Sequence, residues 1–334
     1  WQSTSANTDF EAKLSLSPLA FGTLKAAFYA MLLAAPLAVA AAIYTAYFMA
    51  PRMRTKVKPV IELMEALPTV ILGFFAGLFL APFLENHLPG IFSLLLLTPL
   101  GILLFGFIWS KLPEAVRHRV PDGWEAALLI PVVIAVGWFS IAISGHLENW
   151  LFGGNMRLWL SNDLGIPFDQ RNALVVGLAM GFAVIPNIYS IAEDAVFSVP
   201  KSLTFGSLAL GATRFETLKR VVVPMALPSM LTGVILAVAR AAGEVAPLML
   251  VGVAKLAPEI PLDGEFPFLH LESKFMHLGY HVFDLGFASR DAEAAMPLVF
   301  ATATLLVAVI VVLNLTAILL RHHLRARHRA LERS

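Results

Sequence analysis

Residues 199–250 read VPKSLTFGSLALGATRFETLKRVVVPMALPSMLTGVILAVARAAGEVAPLML, and they join two unlike halves without a break. The first half, up to Pro224, carries Lys201, Arg214, Lys219 and Arg220 and is too basic to lie in lipid. The second half has the length needed to cross a bilayer, about 20 residues, yet it holds Arg240 and Glu244 well inside. A charged side chain at membrane depth costs roughly 2.5–3.5 kcal/mol on insertion scales, so one kept there needs a reason. The stretch reads as a cytoplasmic docking helix that feeds directly into a pore-lining helix.

The rest of the chain has the same character. It is 58% hydrophobic and 14% charged, against about 25% charged residues in soluble domains. Apolar runs at about 21–49, 68–84, 91–109, 126–144, 173–192, 225–251 and 296–320 predict seven helical spans. These runs are continuous, not alternating, which argues against a β-barrel. With no cysteine there are no disulfides, thiolate metal sites or cysteine nucleophiles.

Basic clusters fix the orientation. They follow the first span (Arg52, Arg54, Lys56, Lys58), the third (Lys111, Arg117, Arg119), the fifth (Lys201 onward) and the seventh (RHHLRARHRALERS). The even spans exit into loops with few Lys or Arg, so the odd exits are cytoplasmic. Residues 1–20 then form an external segment, and a further span upstream of Trp1 is expected. Residues 253–294 form an external loop. Spans three and four, Leu-rich and without buried charge, form a lipid-facing hairpin inserted at about 90–147.

Within the docking segment, about 197–224, Pro200 can open a helix because its missing N–H is unneeded there. Gly211 can close that helix. A second short helix, Arg214–Val222, is expected to run into Pro224. The spacing fits a projecting knob, and equally an ordinary cytoplasmic loop. Arg240 and Glu244 are four apart and share a helix face. Ala239, Ala241, Ala242 and Gly243 around them leave room for close helix approach. Arginine presents a planar fork of donors suited to phosphate oxygens. The pair is therefore either an intramembrane ion pair that locks helices or an anion-handling site. Asn187 and Tyr189 can line the same path, and Pro186 is expected to kink the fifth span. Glu193 and Asp194 end that span, where acidic groups oppose the helix dipole. They are expected to take a basic partner such as a residue of the docking segment, in a gating or structural role. No Walker A loop, HExxH or GxSxG appears, so any ATP hydrolysis belongs to another chain.

These residues resemble a known family. Gly211, nine residues, Val221, one residue, Val223 and Pro224 match the EAA loop of ABC-transporter permeases, G-x9-I-x-L-P, with Val for Ile and Leu. The naming Glu-Ala-Ala would sit at 205–207, where this chain has Phe205, Gly206 and Ser207. The wider run 208–248 resembles the permease subunits of the phosphate-specific ABC transporter. So do 172–200 and, for the first core spans, 21–82, and the added N-terminal region and hairpin resemble the long variant.

The resemblance implies an all-α polytopic membrane protein with the type I ABC importer permease fold, a MetI-like core of five helices plus the hairpin. It implies a heteromer in the bacterial inner membrane: a sister phosphate permease, two copies of an ABC ATPase and a periplasmic phosphate-binding protein. The cargo is inorganic phosphate, with neither cofactor nor nucleic acid. Its Arg-x-x-x-Glu pair lands on Arg240 and Glu244, and its ATPase contact lands on Ser207, Leu208, Ala209, Gly211, Ala212, Thr213 and Arg214. Pro224 closes the coupling segment. Two alternatives stay open: a permease for another oxyanion, and an ion-gradient-driven transporter.

Overall fold

The computed structural model describes residues 15–121, 124–251, 260, 270–289 and 292–331. Every regular element among them is helical. In chain order these are α1 (Ser17–Ile43), α2 (Pro51–Glu65), α3 (Thr69–Phe75), α4 (Ala81–Asn86), α5 (Leu88–Lys111), α6 (Glu114–Arg117), α7 (Glu125–Ala142) and α8 (Ser144–Leu151). They continue as α9 (Met156–Asp163), α10 (Ala173–Phe197), α11 (Lys201–Ala209), α12 (Arg214–Thr217), α13 (Val223–Gly243), α14 (Ala246–Val251), α15 (Leu278–Phe287) and α16 (Ala292–Leu331). Six helical stretches are long and apolar enough to cross a membrane. They are seven if Ala127–Ala142 and Ser144–Asp163, bent by 43° where they meet, count as one span. The expected fourth span, 126–144, corresponds to α7, and the chain bends at its end into α8. Residues 1–14 of the expected external segment, and residues 253–259, 261–269 and 290–291 of the expected external loop, lie outside the described residues.

Three wide π-turns interrupt the spans at Tyr44–Phe48, Ala76–Leu80 and Leu218–Val222. Each stands two or three residues ahead of a proline: Pro51, Pro82 and Pro224. A proline cannot donate to the helix ladder, and its ring strikes the carbonyl four residues back. A turn widened by one residue relieves both problems, and at Pro82 and Pro224 the span continues unbroken. This corrects the expectation of a separate helix ending at Pro224, because Arg214–Gly243 runs as one helical stretch through it. The far end of that span is corrected too. In a continued helix Pro247 would strike the carbonyl of Gly243. The helix stops there, Glu244 is extended at φ −74° and ψ 123°, and α14 begins afresh. α10, by contrast, runs unbroken through Pro186.

The chain divides into two compact units. The first comprises Trp1–Tyr47, Lys58–Gly77 and Arg171–Ser334. Its main packing joins α1 to α10. Ala26, Ala30, Ala34, Ala38 and Ala42, one per helical turn, are wholly buried along α1. Opposite them stand Gly177 and Gly181 of α10, where an added Cβ would lie 3.2 Å from the Tyr29 backbone and 3.4 Å from the Ala30 carbonyl. Lipid tails are as apolar as leucine, so burial does not drive such pairs together. Close backbone approach between small residues does. The same device seats α3 on α14, where a Cβ on Gly73 would meet the Ala246 carbonyl at 2.8 Å. α13 comes against α10 where Gly233 faces Ile191.

The first N–H groups of α10 are capped by the Asn172 side chain and by the carbonyls of Leu271 and Ser273. Leu278 N donates to Thr23 Oγ1 at 3.1 Å, which ties the start of α15 to α1. His277 caps α15 through Nδ1. Burial pushes its imidazole down to about 3 against the upward pull of the Leu248 backbone, so it is a neutral structural cap.

The second unit is Phe48–Val57 and Leu78–Gln170. Its α5 and α7 pack where Gly101 faces Val136, and Gly90 N donates to Ser144 Oγ at 3.0 Å. The Arg157 guanidinium pairs with Glu85. Leu95, Leu96, Leu103 and Phe107 of α5 stay exposed, as suits a lipid-facing surface.

Gly177→Val is expected to separate α1 from α10 and to cost about 1–3 kcal/mol, the range for overpacking. Gly106→Val, where an added Cβ meets nothing within 4 Å, is expected to be neutral. Denaturant-induced unfolding of the purified protein in detergent micelles measures both.

Candidate functional site

The segment 197–224 folds as its turn residues dictate. Pro200 is extended and supplies the N-cap position of α11. At the other end Ala212 N bonds to Ser207 O at 3.2 Å and Gly211 N to Leu208 O at 3.0 Å. These are the two bonds of a Schellman closure, with Gly211 at φ +90° in the left-handed region that only glycine adopts freely. Thr213 opens α12 with a reciprocal capping box to Glu216. Ser207 Oγ and Thr217 Oγ1 lie 2.9 Å apart and fasten α11 to α12. Tyr47 OH donates to the Arg214 carbonyl at 3.2 Å, which ties in the end of the first span. Ala209 and the apolar Phe205, Leu210 and Phe215 stay exposed on this assembly, while Leu208 and Ala212 are half-buried.

Arg240, Glu244 and Asn187 come together as the sequence suggested, around a fourth residue that the sequence did not single out. Glu65, the last residue of α2, accepts from Arg240 Nη1 at 2.5 Å and from Asn187 Nδ2 at 3.4 Å, both on Oε1. Glu244 is the more distant partner, with its Oε1 3.7 Å from Arg240 Nε. The expectation of one helix face is corrected: Arg240 lies in the last turn of α13 and Glu244 caps it in extended conformation. Side-chain exposures of 32% for Arg240 and 38% for Glu65 leave the pair accessible. Tyr189 is wholly buried and does not line this space. Among the described residues no group of histidines and carboxylates could hold a metal ion.

A second ion cluster lies about 10 Å along α2, seven residues from Glu65 at 1.5 Å rise each. Lys58 Nζ donates to Glu193 Oε2 at 2.8 Å and to Asp194 Oδ1 at 2.6 Å, with Glu62 3.8 Å away. The expected partner from the docking segment is thereby corrected. The cation comes from the basic run after the first span, because α2 lies along α10 with Lys58 opposite Glu193 and Glu65 opposite Asn187. Glu193 is fully buried and Asp194 exposed. Burial alone would pull the Lys58 ammonium down, but the hydrogen bonds to Asp194 and Glu193 outweigh it and hold the group above the usual lysine range. Lys58 therefore stays charged at physiological pH. Pro224, the other residue assigned a structural or gating role, sits exposed in the first turn of α13.

Residues 34–329 match the family model described as binding-protein-dependent transport system inner membrane component. The chain is 29% identical over 259 residues to the probable ABC transporter permease protein YqgH of Bacillus subtilis (strain 168), covering 77% of this chain and 58% of that protein. Over 161 residues it is 34% identical to the probable ABC transporter permease protein YqgI of the same organism, 47% of each chain. It is 24% identical over 239 residues to the phosphate transport system permease protein PstC 1 of Mycobacterium tuberculosis (strain ATCC 25618 / H37Rv), covering 72% of this chain and 54% of that protein. The chain thus spans about half the length of these curated relatives. No solved structure matches it.

Lys58→Met is expected to destabilise the protein by about 1–3 kcal/mol, because it takes a charged donor from a buried carboxylate. Adding Glu193→Gln is expected to restore part of that loss, and adding Asp194→Asn to restore none. Thermal unfolding in detergent for the three variants measures the difference.

Proposed function

We infer that this chain, which belongs to the family of binding-protein-dependent transport system inner membrane components, is the membrane-spanning permease subunit of an ATP-driven importer, and we propose inorganic phosphate as its cargo. The observation that carries the proposal is Arg240. It is a permanently charged fork of donors at the end of a span, held by accessible carboxylate oxygens and not sealed in the core. A carboxylate and a phosphate offer that fork the same kind of oxygen pair. The chain's relatives include a protein named as a phosphate transport system permease, which supports the choice of anion.

In this reading the bacterial inner membrane holds the chain beside a sister permease. Two copies of an ABC ATPase sit on the cytoplasmic side, and a phosphate-binding protein delivers cargo from the periplasm. The ATPase grips α11 and the Gly211 turn. Closure of the ATPase dimer moves that knob, and the Ser207–Thr217 bond passes the motion to α12. From Val223 the helix runs seventeen residues, about 25 Å at 1.5 Å each, to Arg240 in its last turn. A push at the knob therefore arrives at the anion site as a movement of one continuous rod. Glu193, Asp194 and Lys58 hold α10 and α2 together below that site.

Labelled phosphate uptake tests this in vesicles holding the full complex and its binding protein, with ion gradients collapsed. Uptake is expected only with ATP, competed by arsenate and not by sulfate. Arg240→Ala is expected to abolish uptake, at least about a hundredfold, the scale of losing a charged anion-binding group, while the subunits still co-purify. Full uptake by that variant overturns the role, and uptake that ignores ATP but follows an ion gradient makes the chain a secondary carrier.

A further inference from the structure

We propose that Glu65 is the resident occupant of the anion site, a carboxylate that fills the place of a cargo oxyanion on Arg240 and Asn187 and must withdraw for the cargo to bind. The inference rests on the reading of Arg240 as the cargo-binding group.

Two donors on two different helices converge on one atom. Arg240 Nη1, from α13, and Asn187 Nδ2, from α10, both point to Glu65 Oε1. Their convergence on a carboxylate oxygen is what an oxyanion would find. The carboxylate is delivered by a third element that is free to leave. α2 has no buried residue, and in its last turn only Glu62 and Met64 are half-buried, so packing holds that turn weakly and its ion pairs count for more. Directly after Glu65 the chain changes direction. Ala66 N and Leu67 N close a tight turn onto Leu63 O and Met64 O, and Pro68 is extended at ψ 124°. Ala66, Leu67 and Pro68 are all exposed, so displacing the turn opens no cavity.

Charge balance makes the withdrawal necessary. Arg240 faces two carboxylates, Glu65 and Glu244, and the nearest other cation on α2, Lys58, is engaged by Glu193 and Asp194. An anion that approached the closed cluster would meet one positive and two negative charges. With Glu65 withdrawn it meets one of each, and both donors are vacant. The return of Glu65 then displaces the anion, which gives a site holding a permanent cation a means of release. Between cycles the carboxylate occupies the donors, so the path offers no standing anion site through which cargo can leak back.

Phenylglyoxal, which modifies accessible arginine side chains, reads the occupancy of Arg240 in the reconstituted complex by mass spectrometry. Glu65→Gln and Glu65→Ala are each expected to raise the rate of Arg240 modification about fivefold, the upper end for a partly exposed ion pair. Glu244→Gln is expected to have a smaller effect because its oxygen is more distant. Inorganic phosphate is expected to protect Arg240 in both backgrounds, at several-fold lower concentration once the Glu65 carboxylate is gone. An unchanged modification rate in both Glu65 variants overturns the proposal even if uptake remains ATP-driven. A raised rate with protection by sulfate and not by phosphate keeps Glu65 as the occupant and overturns the phosphate reading instead.

Discussion

The first compact unit depends on how closely α1 and α10 approach. In lipid the apolar side chains gain nothing by leaving one hydrocarbon environment for another, so association rests on dispersion between close backbones. Five alanines spaced by four are buried along α1, and two glycines spaced by four on α10 lie against its Tyr29, Ala30 and Leu33. This places matching four-residue ridges against each other. α10 is thereby fixed in rotation, and its rotation decides which residues face inward. Ile188, Tyr189 and Ala192 are buried, while Asn187 remains half-exposed toward Glu65. A turn of α10 by one residue would replace Asn187 with an apolar side chain. The polar cluster is thus a consequence of the alanine seam.

The prolines set the second constraint, and their setting decides their effect. Pro82 and Pro224 follow π-turns that absorb the missing donor, and the chain passes both within a helical run, as it passes Pro186 without one. At Pro51, Pro68 and Pro247 a helix ends before the proline. The consequence is functional. Continuity at Pro224 joins α12 and α13 into one rod, whereas the breaks at Pro68 and Pro247 leave Glu65 and Glu244 at helix ends outside that rod.

Much of this was legible in the sequence. The apolar runs predicted an all-α polytopic chain, Gly211 a helix closure, and the residues Arg240, Glu244 and Asn187 a common site. What failed were inferences about ends and partners. The span 225–251 was read as one helix because hydropathy is indifferent to Pro247, which acts through a steric clash and leaves the hydropathy of the window high. The π-turn before Pro224 leaves no compositional trace. Glu65 precedes the second apolar run and reads as an ordinary polar flank; its contacts with Arg240 and Asn187 depend on α2 lying beside α10, which no local pattern encodes. Lys58 was counted as one of four basic residues marking the cytoplasmic side, and only the fold distinguishes it from Arg52, Arg54 and Lys56. Two further signals stood in plain view, the G-x-x-x-G spacings at 73–77 and 177–181, and both mark close helix contacts.

The two ion clusters on α2 look alike as charge patterns, but exposure separates what they do. Glu193 is fully buried, so its carboxylate depends on Lys58 for much of what water would have given it, and parting that pair leaves a buried charge short of a donor. Such a contact is a fastener. Glu65 and Arg240 retain roughly a third of their surface, and a pair in that setting contributes no more than about 1 kcal/mol, since each ion recovers its hydration on parting. A contact of that strength exchanges partners readily, and an anion with comparable oxygens competes with it on equal terms. A transport site has to be weak in this sense, because a guanidinium sealed with one buried carboxylate would neither admit cargo nor release it. α2 therefore carries its fastener at Lys58 and its exchangeable contact seven residues further on, so the same helix can stay attached while its tip lets go.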